Sequence, residues 1–453
     1  MKTLYMVSLG CPKNLVDSEV MLADLERAEY TVVQEAEHAS VILVNTCGFI
    51  RPAVEEAIDT ILELAACKEE NPGQLLVVTG CMVQRYGREL ATELPEVDLF
   101  VGLDDFPHIG RLIDRLADHS HIVTRPGLAT YLMDHRVPRR IITPPFRSYL
   151  KITEGCDNRC AYCMIPSIRG RLRSRTIADL TSEAITLERS GVRELSLIAQ
   201  DLTAYGRDLP EPMALTDLLR ALLERTNIPW FRLLYLYPAS VTDELLHVLA
   251  REPRLLPYLD IPFQHVSDRV LTAMNRRYRH VVLDDLVRRI RTYVPTCVIR
   301  TTMLVGFPGE TEEDVTALVD SLRTWQLDHV GVFQYQDEDG SLAAQLPGKV
   351  DDEEKESRYQ RVMEVQAVIS ERRQQRYVGR LEPVLIEGTS EESDLLLEGR
   401  TRFQAPEIDG CVYITSGQVN PGDIVMVRIT EAHTYDLVGE VVDGQEEEGV
   451  NGN

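Results

Sequence analysis

Tyr149-Leu150-Lys151-Ile152-Thr153-Glu154-Gly155-Cys156-Asp157-Asn158-Arg159-Cys160-Ala161-Tyr162-Cys163 decides the reading of this chain. It begins as a short strand over Tyr149–Thr153 and runs into a loop that carries three thiols within eight residues. Working outward, further candidate strands follow at Glu194–Ala199, Phe231–Leu236, Tyr258–Pro262, Val298–Val305 and Val330–Tyr335. Helical patterns lie between most of them. Thr176 is placed to cap one whose apolar positions are Ile177, Leu180, Ala184 and Leu187. Six strand-helix units fall short of the eight that close a TIM barrel, so an open, partial barrel is expected. Before this segment the chain turns basic and Pro-rich from Arg136 to Pro145, which predicts a linker.

Upstream, residues 1–135 repeat a related pattern. Leu4–Gly10, Val41–Thr46 and Leu75–Gly80 are short apolar strands, and each runs directly into a cysteine: Cys11, Cys47 and Cys81. The cysteines stand 36 and 34 residues apart. After Cys47 a helical stripe is expected at Ile58, Ile61, Leu62 and Ala65. Continuous apolar strands alternating with helices predict a parallel sheet covered on both faces. Downstream, residues 350–377 are charged and read as a helix. Short alternating strands with Gly, Pro and Asn turns then appear at Val384–Glu387, Cys411–Thr415, Asp423–Ile429 and Tyr435–Val441, the pattern of a small all-β barrel. The expected organisation is therefore α/β: an N-terminal α/β domain (1–135), a partial (β/α)6 barrel (136–375), a small OB-like β-barrel (376–444) and a disordered tail (445–453).

The 453 residues include 72 acidic and 48 basic side chains, a net charge of −24 that argues against a protein coating nucleic acid over its whole surface. No apolar run approaches a membrane span, and the first residues lack a secretory pattern, so a cytoplasmic location is expected. Nine cysteines in such a chain suit metal ligation better than a disulfide scaffold.

The chemistry lies in two sets of three. Cys156, Cys160 and Cys163 let one loop wrap a small inorganic core, and thiolates suit iron–sulfur clusters. No fourth Cys or His lies nearby, so one iron keeps an open position; a structural zinc site would want four protein ligands. Cys11, Cys47 and Cys81 would converge on one crevice if their strands are neighbours, with helix N-termini lowering their pKa values. Three unrelated buried thiols are the plain alternative, weakened by the repeated strand-end position. Cys67 after a helix, Cys297 before a strand and Cys411 opening one read as packing residues.

The Cys156/Cys160/Cys163 spacing, with aromatic Tyr162 before the last thiol, resembles the radical S-adenosylmethionine superfamily. With the three cysteines ahead and the β-barrel behind, residues 1–443 resemble the methylthiotransferases of that superfamily. The resemblance implies two 4Fe-4S clusters, an auxiliary one on Cys11, Cys47 and Cys81 and a radical one on Cys156, Cys160 and Cys163, with a terminal TRAM domain for substrate recognition. Ala199–Gly206, Pro262–Asp268 (with Gln264-His265) and Ala405–Gly410 are similar to the branch that modifies an aspartate of ribosomal protein twelve of the small subunit. The other branch modifies a tRNA adenosine. Residues 377–444 carry four Arg, no Lys and thirteen acidic residues, which disfavours a phosphate backbone and suits a basic ribosomal protein. A surface kept acidic for solubility accounts for the same charge.

By the same resemblance Tyr162, Gln200, Asp201, Gln264, Arg300 and Gly306 line the S-adenosylmethionine pocket. Gly306–Thr311 ends a strand and opens a helix, with Thr311 and Asp314 spaced as a capping pair. Residues 136–175 hold ten basic and two acidic side chains, and Arg171 and Arg173 just past the cluster loop are candidates to grip the target carboxylate. The implied reaction is β-methylthiolation of aspartate, with S-adenosylmethionine as radical source and methyl donor and a flavodoxin- or ferredoxin-like electron donor. The substrate is ribosomal protein twelve, free or within the ribosome. A tRNA methylthiotransferase and a non-catalytic iron–sulfur module that binds ribosomes are the competing readings.

Overall fold

Apolar strands alternating with amphipathic helices require cover on both strand faces, and the computed structural model builds two parallel sheets from them. It describes residues 2–116, 122–123, 127–390 and 392–442; the expected tail at 445–453 lies outside the described residues. The first sheet has the order Thr31–Val32, Thr3–Ser8, Val41–Thr46, Leu75–Gly80, Leu99–Val101, Ile122–Val123, all parallel. The three cysteine-bearing strands are thus direct neighbours. Helix Arg51–Glu70 covers one face through Ala57, Ile61, Leu64 and Ala65. That stripe differs from the expected one: Leu62 is exposed and Leu64 takes the inward position. Cys67 lies inside this helix and not after it.

The second sheet runs Arg147–Lys151, Glu194–Ile198, Trp230–Leu233, Leu255–Asp260, Val298–Val305, His329–Gln334. All six are parallel and neighbour one another in chain order, and the sheet does not close. Thr176 caps helix Ile177–Arg189 by accepting from the Asp179 amide, and Leu180, Ala184 and Leu187 are buried. The Thr311/Asp314 capping pair also forms.

Helix Asp352–Gln374 leads to a closed barrel with strand order Leu381–Ser390, Ser393–Thr401, Val412–Ser416, Leu437–Val441, Ile424–Ala432. Strand Ser393–Thr401 was not expected, and the other four occupy the expected places with shifted ends. The barrel docks on the second sheet through buried ion pairs. Glu194 meets Arg232 and Arg400 at 2.6 Å each, and Arg147 meets Glu387 at 3.1 Å. Arg147 and Glu194 begin their strands, so the barrel takes the N-terminal edge and leaves the C-terminal edge free for a site.

The stretch 136–145 has no helix or strand, as a linker should, yet it is anchored. Arg139 is buried against Glu19 (2.6 Å) and Glu183, tying the first domain to the second. Buried pairs of this kind fix geometry more than they add net stability.

Candidate active site

The C-terminal edges of the two parallel sheets face each other across a cavity of about 320 Å³. Ligands gather at that edge in open α/β sheets, because loops and helix N-termini converge there. All six predicted cysteines line it: Cys11, Cys47 and Cys81 from one side, Cys156, Cys160 and Cys163 from the other. A larger open groove of about 740 Å³ near Arg220 and Arg254 carries paired surface charges and no cysteine.

Glycines let the first three strand ends crowd together. Gly10 has φ +95°, and a Cβ there would lie 2.8 Å from Cys47 Cβ. A Cβ on Gly48 would lie 2.6 Å from the Met82 amide nitrogen, just past Cys81. Only glycine fits contacts this close.

The thiols do not share one electrostatic setting. Burial raises Cys11, but Lys13 and Arg169 outweigh it, and its pKa falls below the usual thiol value. Burial pushes Cys47 up to about 12 and also raises Cys81. In the second set burial lifts Cys156 to about 11 and Cys163 to about 12. The expected lowering by helix N-termini therefore gives way to burial at Cys47 and Cys81. Such thiols become thiolates when a metal takes the proton's place.

The sulfur spacing discriminates between metals. Tetrahedral zinc at ~2.3 Å from each sulfur puts sulfurs roughly 3.8 Å apart. Neither cysteine set brings three sulfurs within 4.8 Å of one another. Among the described residues only Asp134, His135 and Asp179 meet that limit, and Arg136 and Arg175 already pair with those carboxylates. Three thiols from each side are soft ligands, the donor type an iron–sulfur cluster takes. Basic side chains also support the sulfurs. Arg169 donates to Cys81 Sγ at 3.2 and 3.3 Å, and Arg276 to Cys160 Sγ at 3.4 Å. Such outer donors orient and tune cluster ligands.

Four of the six expected cofactor residues line the cavity: Tyr162, Gln200, Asp201 and Gln264. Both amide atoms of Gln200 are buried without a partner, which fits a polar ligand beside them. Asp201 accepts from Asn158 at 2.8 Å, fixing the cysteine loop. Arg300 and Gly306 do not line the cavity. Arg300 is the third residue of its strand and pairs with Asp260 (3.0 Å) and Asp409 (3.6 Å) of the terminal barrel. The Gly306 amide is taken by the Glu310 carboxylate, which also accepts from Phe307 at 3.0 Å, so these amides are spent inside the turn.

Neither arginine expected to hold substrate reaches the cavity. Arg171 is 88% exposed and pairs with Asp157, and Arg173 is tied to the carbonyls of Tyr131, Arg169 and Arg171. The cations that do line it are Lys13, Arg169 and Arg276. Arg169 heads the arginine run expected near the substrate, while Lys13 and Arg276 were not expected; the place of Lys13 two residues after Cys11 was its only signal. His265 is fully buried and accepts from the Ser267 amide at 3.0 Å, a turn-forming role, while its neighbour Gln264 has φ +69° and faces the cavity.

Three family profiles tile the chain: "Uncharacterized protein family UPF0004" over residues 3–102, "Radical SAM superfamily" over 150–322 and "TRAM domain" over 378–442. The chain is 52% identical over 440 residues to the ribosomal protein uS12 methylthiotransferase RimO of Desulfotalea psychrophila, covering 97% of this chain and 99% of that one. The chain belongs to the RimO family. The RimO proteins of Geobacter sulfurreducens (47% identity, 96% of this chain and 98% of that one) and Myxococcus xanthus (49%, 98% and 92%) are similar over nearly the same length. Among solved structures, the radical S-adenosylmethionine methyltransferase TsrM from Kitasatospora setae, with cobalamin and a 4Fe-4S cluster bound, shares the fold. Its TM-score is 0.55 at 16% identity, covering 74% of this chain and 72% of that one. No helix among the described residues of this RimO-family chain is long and apolar enough to cross a membrane.

Proposed function

We propose that this chain adds a methylthio group to the β-carbon of an aspartate in ribosomal protein uS12, the substrate named for its RimO relatives. The observation that carries this reading is one cavity lined by both cysteine sets. Cys156, Cys160 and Cys163 would hold the radical 4Fe-4S cluster, and Cys11, Cys47 and Cys81 the auxiliary one. When bound, the clusters and S-adenosylmethionine supply the one-electron chemistry needed to remove an unactivated hydrogen and to deliver sulfur and methyl, which acid–base side chains cannot do.

The chain's own residues position and exclude. Gln264 offers its amide to the cofactor's polar groups, and Gln200 lines the same cavity with both amide atoms unpaired. Tyr162, Tyr235 and Tyr237 wall the cavity with aromatic surface that keeps water from reactive species. Arg169 spans the two domains: it donates to Cys81 Sγ and to Asn14 Oδ1 (2.6 Å) while it pairs with Glu154. The two cysteine sets are thereby held at a fixed separation. An external one-electron donor of flavodoxin or ferredoxin type is part of the proposal, as are the domain limits near 135 and 375.

The test incubates anaerobically reconstituted enzyme, S-adenosylmethionine and a reductant with uS12, with ribosomes and with tRNA, and locates any added methylthio group by mass spectrometry. A modified uS12 aspartate is expected. A methylthio group only on tRNA would transfer the reading to the nucleic-acid branch.

A further inference from the structure

Three cations face the cavity, and two are already engaged. Arg169 directs its donors to Cys81, Asn14, Asp17 and Glu154. Arg276 donates to the Tyr278 hydroxyl (2.7 Å), the Pro262 carbonyl (2.6 Å) and Cys160 Sγ, and stacks on Tyr237 and Tyr278. Lys13 differs. Its ammonium donates to one acceptor, the Ala199 carbonyl at 3.0 Å, and sits 4.1 Å from the centre of the Tyr235 ring. An ammonium has three N–H donors, so one remains after the carbonyl and the ring face. Lys13 is only 8% exposed. Lys13 acts electrostatically on Cys11 but hydrogen-bonds no anion of the described chain, so its spare donor is left for an anion in the cavity.

The surroundings say where that anion goes. Ala199, which anchors Lys13, is followed at once by Gln200, whose amide nitrogen and oxygen both lack partners. The one acidic side chain lining the cavity, Asp201, is turned to Asn158 and Thr203. No carboxylate of the described chain neutralises Lys13 within salt-bridge distance. Lys13 also sits two residues from Cys11 and reaches across to Ala199 of the second sheet's loop, so it lines the cavity that both cysteine sets share.

We infer that Lys13 Nζ binds the side-chain carboxylate of the target aspartate, with the Gln200 amide beside it, and so selects an anionic protein side chain over a neutral one. The inference rests on the proposed reaction and assigns to Lys13 the carboxylate-gripping role first expected of Arg171 and Arg173. The ammonium would hold the carboxylate as a charge-assisted hydrogen bond while the adjacent β-carbon stays free for hydrogen removal.

The test is a two-by-two comparison of binding to the reconstituted holoenzyme. Wild type and Lys13→Met are each titrated with uS12 and with uS12 whose target aspartate is replaced by asparagine. Wild type is expected to favour the aspartate form by about 10- to 100-fold, the range of a hydrogen bond to a charged group. Lys13→Met is expected to bind both forms alike, and Lys13→Arg to restore part of the preference. A merely structural lysine would weaken both forms equally and leave their ratio unchanged. Retention of the wild-type ratio in Lys13→Met overturns the role of Lys13 alone. Wild type that binds neither form overturns the underlying reaction as well. If Lys13→Met fails to assemble, Lys13→Gln, neutral and polar, takes its place: loss of the ratio in a fully iron-loaded Lys13→Gln supports the role of Lys13, and a ratio identical to wild type contradicts it.

Discussion

The guanidinium of Arg169 donates to the Sγ of Cys81 across the boundary between the first and second domains, at 3.2 and 3.3 Å. Arg169 follows the radical-domain cysteines by six residues, whereas Cys81 opens the short helix that follows strand Leu75–Gly80 of the other sheet. One side chain therefore carries the geometry of one cysteine set to the other. It also closes a buried network, because Asp17 (2.8 Å) and Glu154 (3.3 Å) share it with Lys151, which meets each carboxylate at 2.5 Å.

Arg169→Gln should lower the unfolding free energy by about 3 kcal/mol, the low end for breaking a buried pair, because Lys151 remains to face both carboxylates. Urea denaturation of anaerobic protein measures this. A change under ~1 kcal/mol would mean that the network does not depend on Arg169.

Arg171→Glu should leave uS12 modification within about twofold of wild type, since a solvent-screened surface pair contributes little. Arg171 projects into solvent beside Asp157 and faces no part of the cavity. Initial rates by mass spectrometry decide it, and a tenfold loss would return this arginine to the substrate site.

Arg300→Met should act on barrel docking and not on cofactor affinity. It removes the cation between Asp260 and Asp409, which costs about 3 kcal/mol when a buried charge loses its partner. Thermal unfolding should fall, while binding of S-adenosylmethionine by equilibrium dialysis stays within about twofold of wild type.

Glu194 gives the docking of the terminal barrel a pH dependence. Burial opposes its charge, but Arg232 and Arg400 dominate and hold the carboxylate at about 2, below its ordinary 4.5. A depressed folded-state value stabilises above the unfolded value and is lost as pH falls through the folded one. The contribution, about 3 kcal/mol, should be complete above pH 4.5 and decline toward pH 2. Glu194→Gln should therefore be less stable than wild type at pH 7, with the gap narrowing in acid; a gap independent of pH between 7 and 3 would contradict this.

Cys11, Cys47 and Cys81 were legible in the sequence because each follows a continuous apolar strand, and strand ends of a parallel sheet share one edge whatever the crossovers between them; Cys156, Cys160 and Cys163 were legible from their spacing in one loop. Gln200, Asp201 and Gln264 were named from the family resemblance, and they line the cavity. Arg300 and Gly306, named from the same resemblance, stay outside the cavity lining for reasons of register and turn geometry. Arg300 is only the third residue of an eight-residue strand, and Gly306 offers amides that Glu310 four residues on already fills. The roles of Lys13 and Arg276 could not be read in advance, since their partners lie 186 and 116 residues away, and the partner that singles out Arg169 within its run lies 88 residues away. Charge density pointed to the arginine run after Cys163, but burial selects Arg169 from it and leaves Arg171 in water.

The account turns on two separate inorganic centres in one cavity, each on its own three cysteines. The direct measurement is iron content together with methylthio transfer, for wild type and for the chain with Cys11, Cys47 and Cys81 all changed to Ala. Reconstituted wild type should hold roughly eight irons per chain and the variant roughly four. The variant should add no methylthio group to uS12. Undiminished iron, or a methylthiolated aspartate formed by the variant, would contradict the account.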